Sequence, residues 1–439
     1  MASILSLIQS IAASKSEPLM KFDVPNTTFG DAFFAQSGIR IEGTYGISSP
    51  YLQFWFDCTL VLVIDVIFGL IISSILYYYV LPKNLKQTAM SNSNVYVLGF
   101  GVIIPCCYLL PYALIDATGI QNSVVRFTLS APMVFYAFRC VEAMCGFVPP
   151  VVTSSPLDYA IYYATPTEFM FDRKSGQRVM ATLHDIRRSL IGATKTLITN
   201  LILMSLFSSY NYEPFQSMNA REESLSSIRD YLDMKHLGNC FITAMMFQQL
   251  VGLFGSVAAL VIQITTGYRA VESMRNPVME ATSPSDFWGR RWNVAVHGAL
   301  KRGVFKPVRK FSSSFVAALM AFIASGLFHE YLVHLTVMYN KEPRVADDNV
   351  CNALNTDYKP QLGSNMAFFA WNGVIMVTEK LLGRNRVMQS FGSTLPRFMV
   401  VFLTIMTALP LAHWFGNPYI KQGLLCDFQE GYFFVTKIA

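Results

Sequence analysis

Two stretches of this sequence hold residue types that can do chemistry at a spacing that would let them meet. Asp286-Phe287-Trp288-Gly289-Arg290-Arg291-Trp292-Asn293 gathers aromatic rings, guanidinium groups and a neutral amide, and Ser325-Gly326-Leu327-Phe328-His329-Glu330-Tyr331 sets a histidine beside a glutamate inside an apolar run. An ionisable side chain near the centre of a bilayer costs about 2.5–3.5 kcal/mol on insertion scales, so such a pair marks a functional site by default. The structural alternative is a His and a Glu that satisfy each other or a backbone carbonyl within a helix bundle.

If the helix begins near Phe315 on the cytosolic side, His329 lies about 21 Å along its axis, inside the bilayer. Ser325 and Gly326, four and three residues earlier, share its face and would leave space beside the imidazole. Burial disfavours the imidazolium and keeps the ring neutral, which suits a general base. Glu330 points about 100° away around the helix, toward a different helix or a partner it orients. His334 reads as structural. In the earlier stretch, Phe287, Trp288 and Trp292 are rings that settle at a membrane interface. Arg290, Arg291, Lys301, Arg302 and Lys306 form a basic cluster able to hold the phosphates of a water-soluble donor, or simply anchor the topology. Asn293 can polarise a carbonyl or orient a hydroxyl without adding charge.

The elements that must position these groups are membrane helices. The 439 residues are 53% hydrophobic and only 14% charged, outside the range of soluble domains. An all-α, polytopic bundle follows. Spans are expected over Phe54–Val80, Val95–Ile115, Thr128–Val148, Leu190–Tyr210, Leu237–Thr265, Phe315–Tyr339, Gly363–Leu382 and Leu395–Phe415, about eight in all, each near the roughly 20 residues that cross the hydrocarbon. The net charge of +6 is gathered at helix ends, which argues for membrane topology and against nucleic acid. Basic connections after the first, third, fifth and seventh spans alternate with acidic or charge-poor ones, placing both termini outside the cytosol and residues 286–310 within it.

Residues 1–50 form a polar or interfacial N-terminal region, with an interfacial helix over Ile4–Ala13, and residues 51–439 a single membrane domain. The sequon Asn26-Thr27-Thr28, Cys351 and Cys426 fall on the expected lumenal side. The Cys residues show no CxxC pair and no Cys/His cluster at metal spacing, so no metal site is expected.

Phe287-Trp288-Gly289-Arg290-Arg291-Trp292 resembles the FWGRRW signature of the wax synthase branch of the membrane-bound O-acyltransferases, and Ser325-Gly326-Leu327-Phe328-His329-Glu330 is similar to that family's SGxxHE helix. The likeness spans residues 284–382. It implies an acyl-CoA-dependent O-acyltransferase of the endoplasmic reticulum membrane, with His329 as the catalytic base and Asn293 as the polar residue beside it. Glu330, Trp292 and Ser325 would support them, and Arg290, Arg291 and Trp288 would bind acyl-CoA. No metal and no cofactor are implied. The acceptor is a membrane-dissolved alcohol: a fatty alcohol giving a wax ester is favoured, with diacylglycerol or sterol as alternatives. Plant wax synthases tend to carry His after RRW, whereas Asn293 is similar to the diacylglycerol and sterol enzymes.

A small-acyl transferase acting on a hydroxylated secondary metabolite would show the same motifs. An ion-coupled transporter, with Asp65, Glu142, Glu330 and Glu379 along a path, is the reading of another class. The paired broken helices and inverted repeats that accompany such folds are not found. Arg139 and Glu142, three residues apart, read as a neutralising ion pair. Glu379 reads as an interface marker.

Overall fold

The computed structural model describes residues 18–25, 42–81, 93–172, 174–208, 210, 212–215, 227–342, 358–383 and 395–437. The expected interfacial helix at Ile4–Ala13, the sequon at Asn26 and Cys351 lie outside them. Among the described residues the chain is a helical bundle, in the order α1 (Leu52–Val80), α2 (Ser93–Thr118), α3 (Ser123–Met144), α4 (Pro156–Ala164), α5 (Leu183–Ser208), α6 (Met234–Thr266), α7 (Val294–Leu300), α8 (Ser314–Met338), α9 (Ser364–Leu382), α10 (Arg397–Ile420) and α11 (Leu424–Gln429). Seven of these are long and apolar enough to cross a membrane. Their starts follow local signals: Asn122 accepts from the Val124 and Val125 amides, Asp233 from Lys235 and His236, and Ser313 from Val316.

The helical bundle carries one small addition. Three short strands, β1 (Met20–Val24), β2 (Gly43–Ser48) and β3 (Phe434–Lys437), form an antiparallel sheet in which β2 is central. Phe22 stacks on Tyr45 at 5.8 Å, and Thr44 donates to Asp23 at 2.6 Å. The third strand comes from the far end of the chain, so the hydropathy of the first fifty residues gave no sign of the pairing. Helix α9 is about 28 Å long for its 19 residues but is not among the seven helices long and apolar enough to cross. The sequence places a span here, over Gly363–Leu382, although Asn365, Asn372, Glu379 and Lys380 lower its hydropathy; Asn365 and Asn372 are fully buried.

Helix α3 runs through the interior, with 67% of its apolar window buried, against 17% for α5 and 11% for α10. Its Arg126 donates to the carbonyls of Ile120, Leu335, Tyr339 and Asn340, tying α3 to the end of α8. The expected ion pair between Arg139 and Glu142 is not formed. Arg139 donates to the carbonyls of Tyr162, Tyr163 and Thr167, while Glu142 binds Arg302 at 3.0 Å and the Tyr162 hydroxyl at 2.6 Å. Partners from other elements satisfied each group better than a neighbour on the same helix.

Helices α8 and α9 approach closely. A Cβ on Gly326 would stand 2.8 Å from the Met366 Cα, and one on Gly373 would stand 3.0 Å from Phe322 Cβ. The room expected beside Gly326 is therefore filled by α9, not by substrate.

Candidate active site

The Phe287–Arg291 stretch winds as a π-helical turn held from three directions. Asp286 accepts from Arg291 Nε at 2.7 Å and from the Thr282 amide at 3.1 Å. Arg291 also reaches Glu280 at 2.8 Å and the Arg275 carbonyl at 3.1 Å. Glu379 of α9 accepts from both the Ser285 amide and its hydroxyl at 2.7 Å, so this residue is a clamp and not merely an interface marker. The turn presents its rings inward: Phe287 stacks on Trp292 at 5.4 Å, and Trp288 donates to Asn372 of α9 at 3.0 Å. At the turn's end Asn293 sits at φ +40°, a left-handed conformation that Asn tolerates, and its side chain caps α7 by accepting from Val296 at 3.3 Å.

Helix α8 delivers His329 to the same place. Its ring is parallel to Phe369 of α9 at 4.7 Å and edge-on to Phe415 of α10 at 5.0 Å. Phe369 in turn lies 5.8 Å from Trp288. One phenylalanine therefore joins the two sequence motifs. Tyr419 places its hydroxyl 3.5 Å from His329 Nδ1 and donates to the His329 carbonyl at 3.3 Å. Nε2 makes no hydrogen bond among the described residues.

Glu330 turns away, as its place on the helix predicts. One oxygen accepts from the Met366 amide in the first turn of α9 at 3.0 Å, where a carboxylate also meets the positive end of the helix dipole. Fixing the start of α9 in this way sets Phe369, one turn on, against His329. Ser325 is buried on the same helix, and His334 bonds the Tyr112 hydroxyl at 2.9 Å, a structural contact.

Phe369 and Phe415, the two rings against the imidazole, also line an apolar cleft of about 700 Å³ including its open mouth, which His329 itself does not line. Thr243, Phe247, Trp288, Trp292, Phe369 and Phe415 are among the residues that line it. Phe247 and Tyr419 belong to spans that carry no motif and were not singled out in the sequence. Aromatic residues are frequent along this chain, and only the crossing of α6 and α10 selects these two.

The basic cluster divides sharply. Arg302 is buried between Glu142 at 3.0 Å and Glu168 at 2.5 Å and is not available to a phosphate. Burial opposes its charge, but Glu168, Tyr162 and Glu142 outweigh that and raise its pKa. Arg291 is committed to Asp286 and Glu280. Burial pushes the Asp286 carboxyl up, yet the bonds from Arg291 and the Thr282 amide hold it below the usual carboxylate range. Arg290 and Lys301 are exposed, Arg290 with only a 3.5 Å approach to Asp286. A second, polar cleft lined by Arg188, Arg269 and Arg275 with Asp185 and Glu272 lies beside the ends of α5 and α6.

One constellation corrects the cysteine reading. His236 and Cys240 on α6 and His413 on α10 bring their ligand atoms within 4.8 Å of one another. His236 and Cys240 lie four residues apart on one helix, but His413 comes from a distant helix, so only the fold shows the three together.

Comparison with known proteins covers the stretch that holds both motifs. Residues 271–346 match the model of the membrane bound O-acyl transferase family. The chain is 34% identical over 200 residues to probable long-chain-alcohol O-fatty-acyltransferase 9 of Arabidopsis thaliana, covering 43% of this chain and 51% of that protein. It is 27% identical over 191 residues to probable long-chain-alcohol O-fatty-acyltransferase 3 of the same plant, covering 41% and 48%. A shorter match, 41% identical over 69 residues, is to Arabidopsis acyl-CoA–sterol O-acyltransferase 1, covering 14% and 20%. The matches thus span about half the length, or less, of these relatives.

Proposed function

We propose that this chain, a multi-pass membrane protein of the membrane-bound O-acyltransferase family and its wax synthase branch, transfers a fatty acyl group from coenzyme A to a lipid hydroxyl. The observation that supports the reading is His329, whose Nε2 is unbonded and whose ring lies against Phe369 and Phe415, two residues that line the apolar cleft together with the other motif's Trp288 and Trp292. His329 takes the proton of the acceptor hydroxyl as its oxygen attacks the thioester carbonyl. The carbon–sulfur bond breaks, and the coenzyme A thiolate leaves and recovers a proton. Tyr419 at Nδ1 holds the ring and its tautomer. Asn293 orients a reacting group. Arg290 and the arginine-lined cleft at the ends of α5 and α6 meet the phosphates on the cytosolic side.

A long-chain alcohol is the favoured acceptor, because the cleft is almost wholly apolar and the relatives with the longest matches are named for that substrate. The test is a microsomal assay in a host without its own neutral-lipid synthases, with labelled fatty acyl-CoA offered with fatty alcohol, sterol or diacylglycerol. Wax ester formed by wild type and lost in His329→Ala is the expected result. Ester with sterol alone moves the acceptor. Ester formed equally by both proteins removes His329 from the chemistry. No long-chain ester from inserted protein, with transfer from acetyl-CoA to a small hydroxylated acceptor, assigns the small-acyl reaction instead.

A further inference from the structure

The cluster of His236, Cys240 and His413 has no part in the proposed transfer, and its three ligand atoms lie within 4.8 Å of one another, close enough to converge on one ion. His236 and Cys240 are four residues apart on α6 and so share one face of the helix. The distance from His236 Nε2 to Cys240 Sγ is 3.5 Å. Two ligands about 2.0 Å (nitrogen) and 2.3 Å (sulfur) from a tetrahedral zinc ion are separated by about 3.5 Å. The His413 ring lies 4.8 Å from that of His236, and its Nδ1 is buried without a hydrogen-bond partner. The Pro410 carbonyl, 3.0 Å from His236 Nε2, also faces His413 and is the competing acceptor when no ion is bound.

We propose that His236, Cys240 and His413 bind a borderline-soft divalent cation, Zn²⁺ being the best fit, with a fourth position left to water. Two imidazoles and a thiol select against calcium and magnesium, which prefer oxygen. Binding exchanges the thiol proton for the metal–sulfur bond and releases that proton to solvent. The ion joins α6 to α10, the two helices whose Thr243, Phe247, Leu409, Ala412 and Phe415 form one wall of the cleft. His413 stands two residues before Phe415, the ring against His329. Metal occupancy therefore braces this wall and the ring that flanks the base.

The experiment uses full-length protein purified in detergent, stripped with a chelator and titrated with ZnCl₂ by calorimetry, with cobalt(II) as a spectroscopic substitute and no substrate present. Wild type should bind one ion per chain, show a thiolate-to-cobalt charge-transfer band, and melt at a higher temperature as Zn²⁺ is added. Cys240→Ser should lose the band, and both it and His413→Gln should weaken Zn²⁺ binding by at least about tenfold. Either variant is read only when it elutes as wild type does, and the second serves if the first misfolds. Wild type that takes up no stoichiometric ion, or variants that bind as tightly as wild type, would overturn the site. The readout does not depend on acyl transfer, so its failure leaves that reading standing.

Discussion

Around Arg302 the charges meet opposite charges, whereas His329 stands among aromatic rings with one ring nitrogen unbonded. Glu142 and Glu168 grip Arg302, and the backbone carbonyls of Tyr162, Tyr163 and Thr167 receive Arg139. Both clusters are built from polar groups in apolar surroundings. In the first, the attraction at low effective dielectric is used within the fold and holds α3, α4 and the stretch after α7 together. In the second, the imidazole lies against Phe369 and Phe415, two of the rings that line the apolar cleft. Even in the first cluster Glu142 keeps one oxygen and Arg139 its Nε without a hydrogen bond, so the contrast lies in paired charge against a ring packed among aromatics.

Substitutions in the two regions should separate these roles. His329→Ala is expected to lower turnover by roughly 10²–10⁴-fold, the contribution typical of a general base. Its melting temperature should stay near that of wild type. Arg302→Ala should do the reverse. Loss of one partner leaves Glu142 and Glu168 buried and unpaired at a cost of about 3–5 kcal/mol, to be read by thermal or denaturant unfolding in detergent. A folded, stable Arg302→Ala enzyme would break the comparison.

Asn293 tests the boundary between the regions. Asn293→Ala keeps a β-carbon in the left-handed region without the amide that lets Asn tolerate it, at a cost of up to about 1–2 kcal/mol, whereas Asn293→Gly keeps the turn and removes the amide without that strain. On the proposed role, both variants lose turnover and only Ala loses stability. Wild-type turnover in the Gly variant would make Asn293 a turn residue and nothing more. The smallest effect is expected for Tyr419→Phe, which removes one hydrogen bond worth about 1 kcal/mol at Nδ1 and should slow turnover by about tenfold or less, with KM unchanged. A rise in KM alone would place Tyr419 in substrate binding.

The sequence by itself determined what is local or repetitive. Span length and hydropathy gave eight helices, seven of them long and apolar enough to cross a membrane, and two motifs named His329 and the ring-rich turn. Helical geometry alone also predicted that Glu330 would turn from His329 to another helix. What remained depends on which helices become neighbours. Glu142 chose Arg302 over Arg139, Met366 took the room beside Gly326, β3 came from the far end of the chain to complete the sheet, and Tyr419 reached His329 from the last span. The physical reason is common to all four. In apolar surroundings, a buried polar or strand-edge group takes the partner with the best geometry, and small residues decide how close two helices come, without regard to distance along the chain. Only the assembled bundle fixes both.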